Sequence, residues 1–493
     1  MTRLLTFFRP RSGRAYVRPW ALATPVAVLL VCLPFLRPLH HPGQMTVDEQ
    51  NRLATISALV DNSISQRGLA DRLALDPQEI TPDGHLIQSG KRLFSDQPAT
   101  LAFLMSGPAW LLAKMGYTLR GNSVLVPYLL TLLGSTLPAA AGGGLVYRMG
   151  RLFELARPWR AALAAASVFA TGLVSYAVVL NPHVPAAVLV LAAVGCLAHL
   201  SASPEPWKGG GWIMMAGLSA GLAAAIDPPA VLFLVLLLIV VPTLQLRKTL
   251  RIGGMMLYLL GAMPAIILHS VLTIPITGDL LPGTMHPEMA ATPPAWWQPT
   301  DSDASGDDTS APPAQNAAID PADEAVAHPP QTLWESTEDF IGLFFASLLG
   351  EHGILAHFPV ILLGFAGMLA VMHRHWPATT KLLAAGSAGA VAVALIACAA
   401  GRYAVGQAAY ANQWFILFLP ILLFWAGAWI RRAHRPATWA LAAVLLAFSV
   451  TVTLIGLIDP MPPGGYDQYT PVAAVRQLTA GDAPPMPTLA TDR

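Results

Sequence analysis

Charge is what this chain has least of. Only 12% of its 493 residues are Asp, Glu, Lys or Arg, whereas 54% are hydrophobic; soluble domains carry roughly 25% charged residues. So little charge excludes an ordinary water-soluble enzyme, and a net charge of +1 offers no basic surface for nucleic acid. Cysteine is equally scarce. Cys32, Cys196 and Cys398 all sit inside apolar runs, which excludes a disulfide framework and leaves no thiolate spacing for a metal. No fold for binding a nucleotide-activated sugar is visible either.

What the chain has in abundance is apolar runs of the roughly 20 residues that cross a bilayer. They lie at Trp20 to Leu36 and at about 124–147, 161–180, 184–200, 211–226, 229–245, 252–274, 356–373, 382–400, 414–430 and 437–458. These predict an all-α polytopic membrane protein of about 11 transmembrane helices. Arg3, Arg9, Arg11, Arg14 and Arg18 precede the first run, and no small-residue cleavage pattern follows it. This is the pattern of an uncleaved signal anchor with a cytoplasmic N-terminus, residues 1–19. A further run, Ala99 to Met115, is ambiguous. If it spans, the basic loops Arg148 to Arg160 and Arg247-Lys248-Arg251 fall outside, against the positive-inside rule; if it is interfacial, every strongly basic short loop falls inside. The second reading gives a transmembrane domain over 20–458, with exported loops at 37–123 and 275–355 and an exported tail at 459–493. The membrane is then the cytoplasmic (inner) one, and the chemistry faces outside.

Nearly all the acids collect on that exported side, and the first exported loop opens on Asp48-Glu49. Leu53, Ile56, Leu59, Val60 and Ile64 follow at helical spacing, the mark of an amphipathic interfacial helix. A second interfacial helix is expected after Ser95-Asp96-Gln97-Pro98, and a third at Glu338 to Leu349. Between them, about 296–330 is rich in Asp, Ala, Ser, Thr and Pro, a composition that cannot bury enough apolar surface to fold. Its Asp301-Ser-Asp303 string is read as chance within an acidic linker.

Val47-Asp48-Glu49-Gln50 after the first span, Phe94-Ser-Asp96-Gln97-Pro98 before the next, Thr277-Gly-Asp279-Leu-Leu-Pro282, Gly350-Glu-His352-Gly353 and Tyr410-Ala-Asn-Gln413-Trp-Phe415 occur in this order. In order and spacing, roughly residues 15–430 resemble the GT-C membrane glycosyltransferases: protein O-mannosyltransferases, bacterial aminoarabinose transferases and Rgt-type enzymes. The chain departs from them at Gln97, where relatives often have Lys, and at Gln413, where many have Arg. Those cations would hold a carrier phosphate; Lys91, Arg92, His352 and Arg402 are the available substitutes.

The resemblance implies transfer of a sugar from a polyprenyl-phosphate donor to a lipid, glycan or protein acceptor, with membrane lipids as surroundings. Inverting transfer needs a base for the acceptor proton and positive charge, or a divalent metal, on the departing phosphate. By the resemblance Asp48 is that base and Glu49 its companion. Thr46-Val-Asp-Glu49 is also a capping box, which would give Glu49 a purely local role. Asp96 either orients the acceptor, helps hold a metal or caps its helix. Gln97, Arg92, His352, Arg402, Tyr403 and Gln413 are the remaining donor or acceptor contacts, with Arg402 either binding phosphate or anchoring the interface. His286 and Glu288 are further metal candidates. Asp227 and His183, each beside prolines, are read as turn residues. Two rival readings are a transporter or lipid flippase and a noncatalytic protein of the same fold.

Overall fold

The computed structural model describes residues 19–40, 45–60, 68–76, 86–202, 209–244, 250–286, 289–291, 333–350, 353–373, 375–400, 411, 413–433, 435–458, 460 and 472. The expected acidic insert at 296–330 and most of the C-terminal tail lie outside them, as do Glu288, His352, Arg402 and Tyr403.

The architecture is α-helical, as the composition requires. Among the described residues, eight helices are long and apolar enough to cross a membrane: Pro19–His40, Leu125–Phe153, His183–Ala202, Gly209–Ile226, Gly253–Thr277, Phe340–His357, Ala378–Ala399 and Pro436–Ile458. Pro228–Thr243, Ile361–Met372 and Leu419–Ile430 are shorter apolar helices. The protein is a multi-pass membrane protein.

Two segments differ from the sequence reading. Glu338 to Leu349, expected along the interface, lies in the helix Leu333–Leu349, and the stretch Phe340–His357 that includes most of it has the length and apolarity of a span. The run at 161–180 is not one helix. It forms Arg157–Phe169, breaks at Gly172 in the left-handed region (φ +70°), and resumes for one turn as Leu173–Tyr176. Residues 170–187 are buried throughout. Apolar content reports burial, and here the burial is in protein, where nonhelical backbone is tolerated at membrane depth if its polar groups are satisfied.

They are satisfied by side chains. Ser175 Oγ donates to the Thr453 carbonyl at 2.6 Å, and Thr453 Oγ1 accepts from Gly172 N–H at 3.3 Å. A π-helical turn at Leu132–Thr136 interrupts the second long helix; such bulges re-aim side chains. Here Thr136 Oγ1 donates to the Ala177 carbonyl at 2.7 Å, and Ser135 Oγ accepts from Asn181 N–H at 3.3 Å. Asn181 Oδ1 then accepts from Val184 N–H at 3.0 Å, closing the first turn of the His183–Ala202 helix.

Two smaller elements frame one end of the bundle. The helix Val47–Val60 buries Ala54, Ile56 and Ala58, but also Glu49, Asn51, Arg52 and Thr55, so its inward face is largely polar. Beside it packs Thr100–Lys114, a 15-residue helix covering the ambiguous run. An antiparallel hairpin pairs Leu86–Ser89 with Arg92–Ser95. Gly90, at φ +62°, starts its two-residue loop, the position where such loops favour glycine. The stretch after Gly253–Thr277 folds back onto this hairpin: Ala291 N–H donates to the Leu86 carbonyl and Thr284 N–H to that of Asp96. A Cβ at Gly283 would stand 3.0 Å from the Asp96 backbone, so glycine permits the close approach that walls in Asp96.

Candidate active site

The first turn of Val47–Val60 separates its two acids. Glu49 N–H donates to Thr46 Oγ1 at 3.2 Å, and Thr46 N–H donates back to Glu49 Oε2 at 3.3 Å, the reciprocal capping box. Glu49 Oε1 accepts from Leu180 N–H at 3.0 Å, and Arg37 Nε lies 3.5 Å from Oε2. Both oxygens are therefore occupied. Burial pushes the Glu49 carboxyl up, with Arg37 and the backbone donors opposing.

Asp48 is half-buried, and its Oδ1 is screened from solvent with no hydrogen-bond partner among the described residues. One turn along, Arg52 shares its helix face, as residues four apart do. Arg52 is 5% exposed, and its Nη1 donates to the Leu180 carbonyl at 2.5 Å. Its guanidinium interacts electrostatically with Asp48, Glu49, Asp96 and Asp227 together, against a burial effect that lowers its pKa. A guanidinium nonetheless keeps its proton, so Arg52 is the fixed cation of the cluster.

Asp96 closes the site from the hairpin side. Burial, then the Asp48 charge, pushes its carboxyl up to about 8, opposed by Arg52 and by hydrogen bonds from its own backbone and the Gln97 side chain. Asp96 therefore carries a proton at neutral pH while Gln97 rests on it. On the far side, His183 Nδ1 lies 2.7 Å from Asp227 Oδ2, and the His183 ring meets Trp414 edge-on with centroids 5.5 Å apart. That contact brings in the 3-10 turn Gln413–Phe415.

Of the residues singled out from sequence, Asp48, Glu49, Asp96 and Gln97 thus meet in one cluster, with Gln413 beside Trp414 at its edge. Arg92 does not join them: half-exposed, it pairs with Asp71 at 2.5 Å. His286 Nε2 lies 3.2 Å from Asp279 Oδ1. Among the described residues, no three His, Cys, Asp or Glu side chains converge as a metal-ligand set. Sequence reasoning missed Arg52, Arg37, His183 and Asp227 as partners. Arg52 had a usable signal in its spacing from Asp48; Asp227 and His183 had none, because their neighbouring prolines mark turns equally well.

No protein-family model and no curated protein matches the chain. Solved structures do. Over 92% of this chain and 57% of the other, the fold is similar to the oligosaccharyltransferase of Archaeoglobus fulgidus in the apo form, at 13% identity and a TM-score of 0.53. The same enzyme in complex with Zn and sulfate aligns over 88% and 53%, at 14% identity and 0.51. ArnT from Cupriavidus metallidurans bound to undecaprenyl phosphate aligns over 88% and 63%, at 13% identity and 0.46. The chain thus spans just over half the length of the oligosaccharyltransferase it matches. Its fold is that of the Archaeoglobus fulgidus oligosaccharyltransferase structures.

Proposed function

We propose that this protein transfers a sugar from a polyprenyl-phosphate donor to an acceptor at the outer face of the cytoplasmic membrane, with Asp48 as general base. The observation that carries the reading is the screened, unpartnered Oδ1 of Asp48 in an acidic cluster centred on Arg52. A buried carboxylate oxygen without a partner is costly; a substrate proton would satisfy it.

In the proposed reaction the acceptor heteroatom attacks the anomeric carbon as its proton passes to Asp48. The bond from that carbon to the phosphate oxygen breaks, and its electron pair leaves on the polyprenyl phosphate. Arg52, one turn along the same helix, supplies the positive charge beside Asp48. Glu49 has its oxygens on Thr46, Arg37 and Leu180 and acts as a brace for the base. With no cation bound, protonated Asp96 donates a hydrogen bond to acceptor or donor.

The cluster is acidic, so a donor phosphate needs added positive charge. On giving up its proton, Asp96 would, with one oxygen of Asp48, hold a divalent cation of the magnesium type, which takes one or two carboxylates and completes its shell with water and phosphate oxygens. Bound there, such an ion would neutralise the departing phosphate. The complex of the similarly folded oligosaccharyltransferase with Zn and sulfate supports this, sulfate having the shape of phosphate.

The neutral Gln97 and Gln413 favour a second reading, a noncatalytic protein of the same fold. One experiment separates the two: purified protein in proteoliposomes, supplied with labelled polyprenyl-phosphate sugars and an acceptor extract. Transfer by the parent chain that disappears in Asp48→Asn supports the proposal. Transfer undiminished in Asp48→Asn overturns the base assignment, and a parent that transfers none of the sugars is the noncatalytic outcome.

A further inference from the structure

The helix pair that leaves Trp414 runs away from Asp48 and ends in a cluster of a different kind. The helices Leu419–Phe424 and Ala426–Ile430 pack on Ile361–Met372 through Gly364 and Gly367, where a Cβ would overlap the backbone of Leu422 and Trp425. Past that close contact lies an open cleft of about 500 Å³, lined by Ala366, Leu369, Ala370, His373, Trp429 and Arg432. The two alanines, four residues apart, form a smooth apolar wall on one helix face. Leu369 beside them is 61% exposed.

The mouth of the cleft is cationic. Arg431 pairs with Glu154 at 2.6 Å, whereas the exposed Arg432 has no carboxylate partner among the described residues. His373 Nδ1 lies 2.9 Å from the Leu369 carbonyl, which leaves Nε2 as the ring nitrogen for a ligand. The Trp429 and Trp439 rings meet at a tilt with centroids 5.1 Å apart, and those of Trp439 and Trp159 at 4.8 Å. A row of tryptophans beside arginines is what a helix bundle presents at headgroup depth.

We propose that this cleft binds one anionic phospholipid, its phosphate on Arg432 and His373 and an acyl chain along the Ala366–Ala370 wall. The unpaired guanidinium calls for an anion, and the apolar wall running from it calls for a chain attached to that anion. A zwitterionic lipid would bring a second cation to a mouth that already holds Arg431 and Arg432.

Native mass spectrometry of the full chain, titrated in detergent with phosphatidylglycerol or with phosphatidylcholine of the same acyl chains, tests this directly. The expected result is retention of one phosphatidylglycerol in preference to phosphatidylcholine. Arg432→Gln lowers that retention about fivefold, as one basic residue at an anionic headgroup should, and Ala370→Phe, which fills the wall, abolishes it. Equal retention of the two lipids, or retention unchanged in both variants, overturns the proposal. Glycosyl transfer is not read, so the outcome is independent of the proposed activity.

Discussion

Nδ1 of His183 and Oδ2 of Asp227 stand 2.7 Å apart, with side chains 5% and 1% exposed. The pair ties the start of one long helix to the turn that ends the next, and it seats the ring against which Trp414 packs. Stripping one partner from a buried polar pair leaves the other desolvated and unmatched, at about 1–3 kcal/mol. Asp227→Ala should therefore destabilise the protein by that amount, and Asp227→Asn by less. The double variant Asp227→Ala/His183→Phe should cost less than the sum of its parts. Melting temperatures in detergent check all three.

Asp48 and Glu49 should respond oppositely although they adjoin. Asp48→Asn preserves shape and removes the proposed base, so transfer should fall by about 10²–10⁴-fold with little change in melting temperature. Glu49→Gln disturbs a carboxylate that braces Thr46, Arg37 and Leu180, so its main effect should be on stability. Thr46→Ala opens the same cap and should cost about 1 kcal/mol. Parallel transfer and melting measurements distinguish these patterns.

Asp96 predicts a pH dependence of stability. Its carboxyl titrates at about 8 in the folded protein, against 3.8 for the ordinary group. The native state binds the proton more tightly, so this contribution is complete below about pH 4 and is lost as pH rises through 8. Asp96→Asn, which cannot ionise, should melt higher than the parent at pH 9, by roughly 1–3 °C, and show a flatter pH profile. Thermal unfolding from pH 5 to 9 is the measurement. A parent curve that rises across that range would contradict the prediction.

Gly172 should resist substitution. Its φ of +70° is unfavourable for any side chain, and an added Cβ would sit 2.8 Å from Phe358 Cζ and 2.9 Å from Ile416 Cδ1. Gly172→Ala should cost about 1–3 kcal/mol from backbone strain, plus the clash. Adding Phe358→Leu should recover at most the Phe358 share of the clash, leaving the strain and the Ile416 contact, as paired melting curves will show.

The apolar runs were legible from sequence because a bilayer imposes a length on any helix that crosses it. The capping box at Thr46 to Glu49 was legible for a similar reason, since its donors and acceptors lie within one turn. Information that local stays in the sequence. The run at 161–180 shows the limit: apolar content signals burial without saying whether lipid or protein does the burying. Gly172, free to take a left-handed turn, settles that only in the company of Thr453.

By itself, then, the sequence determined a helical membrane protein with an acidic pair at a helix start, along with the resemblance that made Asp48 the residue to watch. Only the tertiary structure decided what each acid touches. Glu49 is tied to Arg37 and to Leu180, 131 positions away, while Asp48 keeps an oxygen without a partner among the described residues and interacts electrostatically with Arg52 and Asp96. Asp227 and His183 became members of the site in the same way. Electrostatic partnership depends on distance through space, and no spacing along the chain encodes a 2.7 Å contact between residues 44 positions apart.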